Sequence, residues 1–303
     1  MDSIFIKQAK LMLRILPIVV EEKVFALKGG TAINFFVRDM PRLSVDIDLV
    51  YLPLSKREDA LIEISQSLSR IALKIKRMFP GIVIAEKKND VGFLTKLIIR
   101  QDKAVVKIEP NLVLRGSVYP VETRTLVSKA QDMFEMYLEA PTLSIGDLYG
   151  GKICAALDRQ HPRDFFDIKV FFEHEKFTDT VRKAFIVYLI SHNRPMIELL
   201  NPRFYDFRDV YDSEFKGMVE DYIEYKELVE TRYELVKNIK NSITHKEKQF
   251  IVSVQDGDPM WELLGLKGIE KLPAVKWKLL NVKKMNPVKR KEVVMKLQDY
   301  LGI

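Results

Sequence analysis

Two short stretches decide the fold of this chain, KGGT at Lys28–Thr31 and RLSVDIDL at Arg42–Leu49. The apolar run Val24–Leu27 precedes the paired glycines and another apolar run follows them, which predicts a strand, a tight turn and a helix. The second stretch alternates as a strand does, with apolar side chains on one face and Asp46 and Asp48 on the other. We therefore predict a strand, a turn, a helix and a further strand around this pair of aspartates.

The aspartate pair is the central candidate for chemistry. Strand geometry sends both carboxylates to one face, with their backbones roughly 6 to 7 Å apart. Oxygen ligands of this kind suit two magnesium ions, one activating an attacking hydroxyl and the other neutralising a leaving pyrophosphate. Such a pair arises by chance about once in a chain of this length. The adjacent glycine turn strengthens the prediction, because its N–H groups and the Thr31 hydroxyl suit a triphosphate. For Gly29 and Gly30 the alternative is a plain turn.

A third carboxylate is available later in the sequence. Further strands are predicted over 82–85, 93–100 and 104–109, the last of them ended by Pro110. Glu109 lies at the end of that strand and is a candidate metal ligand or general base. A solvated glutamate at a strand end is the alternative.

A lysine and two aspartates stand out in the second half of the chain. Lys152 lies one turn beyond Leu148 on the apolar stripe of a predicted helix, where it either snorkels from the edge of the core or contacts a nucleotide phosphate. Asp164 and Asp167 share a face of the next predicted helix and can orient Lys152 or a substrate base. Alternatively, Asp164 is a first-turn acid stabilised by the helix dipole, with Arg163 as its surface partner.

The composition favours a polyanionic partner and excludes several kinds of site. The chain has 49 Lys+Arg against 42 Asp+Glu, a formal net charge of +7. One cysteine and four histidines leave no disulfide framework and no Cys-rich zinc site, and Cys154 is predicted to lie in the core. Basic residues crowd the last part of the chain, which is either a phosphate-contacting surface or a solvated helical face: Lys267, Lys271, Lys276, Lys278, Lys283, Lys284, Lys289, Arg290, Lys291 and Lys296.

The chain is predicted to form two domains of different character. Residues 1–140 carry the strand patterns and are predicted to be the catalytic domain, whereas residues 141–303 are predicted to be a helical substrate-binding domain, with one long helix over 213–240. No apolar run is long enough to cross a bilayer, and Met1–Lys10 lacks a signal-peptide pattern. We therefore expect a cytoplasmic protein with no membrane partner.

Four motifs, in this order, resemble those of the AbiEii/AbiGii family of nucleotidyltransferase toxins. They are KGGTAIN from Lys28, RLSVDIDL from Arg42, DLYGGKICAAL from Asp147 and RDFFD from Arg163. The resemblance covers roughly the first 175 residues, and the rest resembles the family only in being helical and basic. It implies an α+β fold, in which a polymerase-β-like nucleotidyltransferase domain with a mixed sheet precedes a mainly helical domain.

The resemblance also implies roles for particular residues. Position 31 departs from the superfamily in carrying threonine where serine is commoner, and many of these toxins show no clear counterpart of Glu109. The implied sites are a nucleotide-binding set of Lys28, Gly29, Gly30, Thr31 and Lys152, a metal-binding pair of Asp46 and Asp48, and a final catalytic acid at Asp164 or Asp167.

The implied function is magnesium-dependent transfer of a nucleotide from an NTP to an RNA acceptor, with the tRNA 3′ end as the expected acceptor. A cognate antitoxin and a part in abortive infection, a form of phage defence, are implied as well. Two alternatives stay open. The acceptor is a hydroxyl on a protein or small molecule, because a fold does not fix its substrate. Or the protein is a non-catalytic nucleic-acid-binding protein in which the aspartates are structural.

Overall fold

The chain separates into two compact units in the computed structural model, which describes residues 3–303. The N-terminal unit runs to Ser144 and also includes Glu214–Tyr222. The C-terminal unit comprises Ile145–Ser213 and Ile223–Ile303. Met1 and Asp2, which belong to the N-terminal segment that lacks a signal-peptide pattern, lie outside the described residues. Within the described chain, no helix is both long and apolar enough to cross a membrane.

A mixed seven-stranded sheet forms the centre of the N-terminal unit. Its strands are β1 Phe25–Leu27, β2 Ile47–Tyr51, β3 Val83–Lys88, β4 Leu94–Gln101, β5 Ala104–Asn111, β6 Glu122–Thr125 and β7 Glu139–Thr142. They lie in the order β3-β4-β5-β2-β1-β7-β6. The pairs β2–β5 and β1–β7 are parallel, and the other four pairs are antiparallel. The predicted mixed sheet is confirmed.

The helices of this unit pack against the sheet and leave one face of β5 open to solvent. They are α1 Ser3–Val20, α2 Gly29–Phe36, α3 Arg57–Met78 and α4 Ser128–Phe134. Helix α1 packs against β5 and α3 packs against β4. In β5 the alternate side chains Val106 and Ile108 are fully buried, whereas Lys107 and Glu109 are exposed. The polar side chains of β5 therefore lie on the face opposite its apolar core.

The C-terminal unit is helical, which confirms the predicted change of character. Its helices are α5 Ile145–Arg159, α6 Pro162–His174, α7 Asp179–Ser191, α8 Met196–Leu200, α9 Arg208–Glu214, α10 Tyr225–Ser242, α11 His245–Asp256, α12 Pro273–Lys284 and α13 Pro287–Leu301. Helix α6 begins with Pro162 at its first position, and the His161 side chain accepts a hydrogen bond from the Arg163 N–H at that end. A first-turn proline is already set for the helical backbone and has no N–H to satisfy.

The prediction of one long helix over 213–240 is wrong. Helix α9 ends at Glu214 and α10 begins at Tyr225, and most of the chain between them, through Tyr222, belongs to the N-terminal unit. There the Met218 carbonyl accepts from the Leu43 N–H at 2.8 Å, and Val219 forms a β-bridge with Arg42. These backbone groups form hydrogen bonds with a segment that is distant in sequence rather than within a helix. The periodicity of apolar residues along the sequence does not reveal such a pairing.

The sheet also extends beyond the predicted strands. Strand β5 does not end before Pro110, because Pro110 pairs with Leu49 and the strand continues to Asn111. Strands β6 and β7 are short and were not predicted, since their sequences ETRT and EAPT lack apolar alternation. β7 pairs in parallel with β1 through Leu27 and Thr142 and so extends the sheet on that side.

Close packing of α5 against α7 depends on one glycine. A Cβ added at Gly150 would lie 2.7 Å from the Phe185 backbone nitrogen and 2.9 Å from the Ala184 Cβ. At the next residue, Gly151, an added Cβ would lie 3.5 Å from the Tyr188 ring, which is an ordinary van der Waals contact. The two glycines are neighbours in one helix, yet only Gly150 has no room for a methyl group.

We expect Gly150→Ala to lower the free energy of unfolding by about 1–3 kcal/mol, because the added methyl group forces α5 and α7 apart. Gly151→Ala is the matched control and is expected to leave stability unchanged or slightly raised, since alanine favours helix more than glycine does. Urea unfolding followed by circular dichroism measures both variants. Equal midpoints for the two would contradict the packing argument.

Candidate functional site

The turn between β1 and α2 is held against β2 by its backbone. Gly29 has a φ of +68°, in the left-handed region that favours glycine. The Lys28 N–H donates to the Asp48 carbonyl at 3.0 Å. Lys28 is also the N-cap residue of α2, and its side chain makes no capping hydrogen bond. Lys28 therefore does not occupy the first-turn N–H groups of α2, and N–H groups at a helix start suit an anion.

The two glycines of this turn are crowded by polar side chains. A Cβ added at Gly29 would lie 2.6 Å from Asp48 Oδ2, and one at Gly30 would lie 2.7 Å from Arg42 Nη2. A side chain at either position would therefore displace the end of the Asp48 or Arg42 side chain, and Gly29 also needs glycine for its backbone conformation. The contact places one carboxylate of the predicted pair directly against the start of α2. The buried Arg42, which the sequence analysis gave no role, places a cation at the same turn.

Asp46 lies immediately before β2 and is anchored from two sides. Its Oδ1 accepts from the Lys107 N–H of β5 at 3.2 Å. Its carbonyl accepts from the Thr31 hydroxyl, which also lies 3.0 Å from Ser44 Oγ. Thr31 is fully buried. The hydroxyl predicted to face a triphosphate is thus turned into the protein, where it fixes the backbone of Asp46.

The two aspartates suit a divalent cation. Asp46 and Asp48 flank Ile47, which is fully buried, and both are half-buried themselves. They therefore share the open face of the sheet, with only oxygen donors, which magnesium prefers. A side chain at position 29 would fill the space beside Asp48 Oδ2. These residues fit the metal-binding pair that the sequence predicts.

Glu109 lies opposite Asp48 in the register of β2 and β5, so the two share the open face. Its carboxylate forms an ion pair with Lys96 at 2.7 Å and its side chain is half exposed. Among residues 3–303, no group of three His, Cys, Asp or Glu is arranged to hold a metal ion. A role for Glu109 as a third catalytic carboxylate stays a prediction.

The C-terminal unit contains a buried cluster of charges. Lys152 Nζ lies 2.8 Å from Asp164 Oδ1 and 2.8 Å from Asp167 Oδ2. The lysine side chain is 4% exposed and both aspartate side chains are 0% exposed. The three residues singled out on α5 and α6 are thus in direct contact. Buried charges need such pairing, because leaving one uncompensated costs several kcal/mol.

Arg159 completes this cluster and was missed in the sequence. Its Nε and Nη2 donate to the two carboxylate oxygens of Asp164 at 2.5 and 2.8 Å. Arg163, considered above as a surface partner, instead contacts His161. Burial alone would raise the pKa of Asp164, but the charge of Lys152 and the hydrogen bond from Arg159 hold that pKa well below its ordinary value. Asp164 is therefore a carboxylate at neutral pH.

Cys154 is a core residue, as predicted. It is 4% exposed and its sulfur lies 3.8 Å from the Phe185 carbonyl oxygen. Burial raises the pKa of the thiol far above its ordinary value. A thiol that stays protonated is a poor nucleophile.

The C-terminal basic residues divide into two groups. All except Arg290 and Lys278 are exposed. Lys278 is buried and donates to the carbonyls of His192 and Arg194 at 2.8 and 2.7 Å. Burial lowers its pKa to about 8. Lys278 thus holds the end of α7, whereas the others, with the 56% exposed Trp277 beside them on α12, remain a basic surface.

Comparisons with known proteins show the family and the fold of the chain. The sequence model of the family described as "Nucleotidyl transferase AbiEii toxin, Type IV TA system" matches residues 10–238. The solved structure of MenT4, a nucleotidyltransferase toxin from Mycobacterium tuberculosis, superposes with a TM-score of 0.60 at 12% identity, over 90% of this chain and 92% of that chain. At this identity the likeness shows a common fold. No match was found among curated proteins.

Proposed function

Since the chain belongs to the family of AbiEii nucleotidyltransferase toxins of type IV toxin–antitoxin systems, we propose that it transfers a nucleoside monophosphate from an NTP to an RNA acceptor, with the tRNA 3′ end as the expected one. The observation that carries the proposal is the position of Asp48, whose carboxylate lies against Gly29 at the start of α2. A carboxylate beside the first turn of a helix suits a metal-bound triphosphate.

Each residue of the candidate site in the N-terminal unit has one role in the proposed reaction. The N–H groups of Gly29 and Gly30 seat the phosphates, and the guanidinium of Arg42 against Gly30 adds positive charge. Asp46 and Asp48 would hold magnesium, which supplies charge neutralisation for the attacking hydroxyl and the leaving pyrophosphate. Thr31 fixes the backbone of Asp46 through the hydrogen bond to its carbonyl. Catalysis on this plan is mainly positioning and electrostatics.

A joint role in the proposed reaction falls to Lys152, Asp164 and Asp167. Their ion pairs fix the Lys152 ammonium in one position. A fixed cation of this kind can stabilise the charge that develops during nucleotidyl transfer without rearranging at that moment. Because the same ion pairs also support the C-terminal unit, activity and stability have to be measured separately for this group.

An RNA acceptor is supported by the basic surface of the C-terminal unit. Helix α12 has exposed lysines at 276, 283 and 284, no acidic residue, and the exposed ring of Trp277. Lysines contact phosphates, and an exposed aromatic ring provides a surface on which a base can stack. We expect RNA binding to weaken steeply with salt, whereas an acceptor bound through uncharged contacts would show little dependence.

The function is tested by offering each α-labelled NTP, with magnesium, to separate pools of total RNA, protein and metabolites. We expect label in the RNA pool, concentrated in tRNA, and no transfer once EDTA removes the divalent cation. Digestion that releases the label only from 3′ ends would support the tRNA acceptor. Label in the protein or metabolite pool alone would contradict the RNA acceptor while leaving nucleotidyl transfer intact.

Membership of the family implies an antitoxin partner. We propose that it is encoded beside the gene. Expression of the chain with and without the neighbouring reading frame tests this, since the neighbour should relieve growth arrest. Arrest that persists unchanged with the neighbour present would contradict the pairing.

A further inference from the structure

A second group of basic residues lies on the N-terminal unit. It lies around a cleft of about 470 Å³ between α1 and the turn that joins β4 to β5. Four cations line it against a single acid, Asp102. The cations are Lys7, Lys10, Arg14 and Lys103.

Within the described chain, none of the four cations of the cleft forms an ion pair with a carboxylate within 4.0 Å. Lys7, Lys10 and Arg14 lie three and four residues apart, so they share one face of α1. Like charges at this spacing cost a few tenths of a kcal/mol per pair. An uncompensated stripe of this kind suits an anionic ligand that neutralises it.

One cation of the cleft is held in position. Arg14 Nη1 donates to Gln101 Oε1 at 3.2 Å, and its guanidinium lies 5.0 Å from the centre of the Phe79 ring. The floor is apolar, since Leu11 and Ala104 are almost fully buried. A fixed guanidinium above an apolar floor loses less side-chain entropy when it binds a phosphate than a free one does.

The cleft lies near the candidate active site. Strand β5 begins at Ala104, and three residues further on the Lys107 N–H donates to Asp46. The rise of a strand makes that separation about 10 Å along β5. Because β2 and β5 are parallel, the β4–β5 turn is at the end of the sheet where Asp46 precedes β2. The cleft lies on the side of α1, against the apolar face of β5, whereas the aspartates lie on the polar face. A chain of nucleotides with its end at Asp46 would therefore reach the cleft by passing around this end of the sheet.

We propose that this cleft binds the phosphodiester backbone of the acceptor RNA, upstream of the end that receives the nucleotide. Lys7 and Arg14 are seven residues apart on α1, which is about 10 Å along the helix axis. That spacing suits successive phosphates of a chain rather than one compact phosphate group. That the bound RNA is the acceptor rests on the proposed function. That the cations of the cleft bind phosphates does not depend on it.

The test compares two double variants of the full-length protein that lose the same charge. Lys7→Gln/Lys10→Gln removes two of the four cations of the cleft, and Lys87→Gln/Lys88→Gln removes two exposed lysines on β3. Binding is measured by fluorescence anisotropy with a single-stranded RNA of about twelve nucleotides. The cleft variant is expected to bind on the order of tenfold more weakly at about 0.1 M salt, with a salt slope shallower by about 1.4. The β3 variant is expected to match the wild type.

Three outcomes would overturn the proposal. Equal weakening in both variants would mean that only net charge matters, and unchanged binding in both would mean that the cleft does not contact RNA. A cleft variant that loses affinity for NTP instead of RNA would assign the cleft to the nucleotide. The proposed function is contradicted by a different result, a wild-type protein that labels no RNA. The anisotropy measurement shows whether the cleft binds RNA in that case as well.

Discussion

Asp46→Asn is expected to reduce nucleotidyl transfer by roughly 10³-fold or more while leaving the fold unchanged. Asparagine keeps the size of the side chain and keeps an oxygen that can accept from the Lys107 N–H, as Asp46 Oδ1 does at 3.2 Å. What it loses is the negative charge that would hold a divalent cation. Loss of several kcal/mol of electrostatic stabilisation corresponds to this fall, since about 1.4 kcal/mol is tenfold in rate.

The measurement is incorporation of labelled nucleotide into RNA at saturating NTP and magnesium. Asp90→Asn is the matched control, because it removes the same charge from an exposed position of the N-terminal unit and should retain full activity. Melting temperatures within about 2 °C of each other would show that both variants fold. A folded Asp46→Asn enzyme with more than about a tenth of wild-type activity would be strong evidence against a metal-binding role.

Local patterns in the sequence are enough to predict the strand of the candidate site. The alternation around Ile47 predicts one apolar and one polar face, and the structure buries Ile47 while leaving Asp46 and Asp48 half-buried on the other side. The paired glycines predict a turn, and Gly29 has a positive φ, a backbone conformation that favours glycine. These features depend on residues within a few positions of one another, where strand and turn geometry follow directly from residue type.

Contacts set by the turns between elements and by tertiary packing were beyond the reach of the same patterns. Arg159 meets Asp164 because the chain reverses between α5 and α6, with Gln160 in the left-handed region at a φ of +47°. Thr31 points inward because α2 already begins at Gly29. The segment after α9 leaves the helical pattern to bond to Leu43. In each case the deciding partner is fixed by tertiary packing, which periodicity does not describe.

Lys152→Met is expected to destabilise the C-terminal unit by about 3–5 kcal/mol. Methionine fills most of the volume of the lysine but leaves Asp164 and Asp167, both with 0% exposed side chains, without the ammonium that lies 2.8 Å from each. Arg159 still neutralises part of the charge on Asp164. Lys169→Met is the control, since the ion pair of Lys169 with Glu173 is partly exposed and should contribute less than about 1 kcal/mol.

The contribution of the cluster should also depend on pH in a defined direction. The pKa of Asp164 in the folded chain lies below that of an unfolded aspartate, which is near 3.9. The unfolded chain therefore takes up the proton first as the pH falls. The stabilisation is present in full above about pH 5 and is lost progressively below it. The stability difference between wild type and Asp164→Asn should accordingly shrink between about pH 5 and pH 3. A constant difference over that interval would contradict the assigned ionisation.

A second variant separates catalysis from stability at Lys152. Lys152→Met/Asp167→Asn removes one of the two carboxylates left without their lysine, so it should recover part of the stability lost in Lys152→Met. If the ammonium stabilises the transition state, the double variant stays inactive at temperatures where it is fully folded, whereas Asp167→Asn alone, which keeps the ammonium, retains activity. If Lys152 acts only by neutralising buried acids, activity returns with stability. Urea unfolding and RNA labelling on the same preparations distinguish the two, because the structural account requires both quantities to recover together.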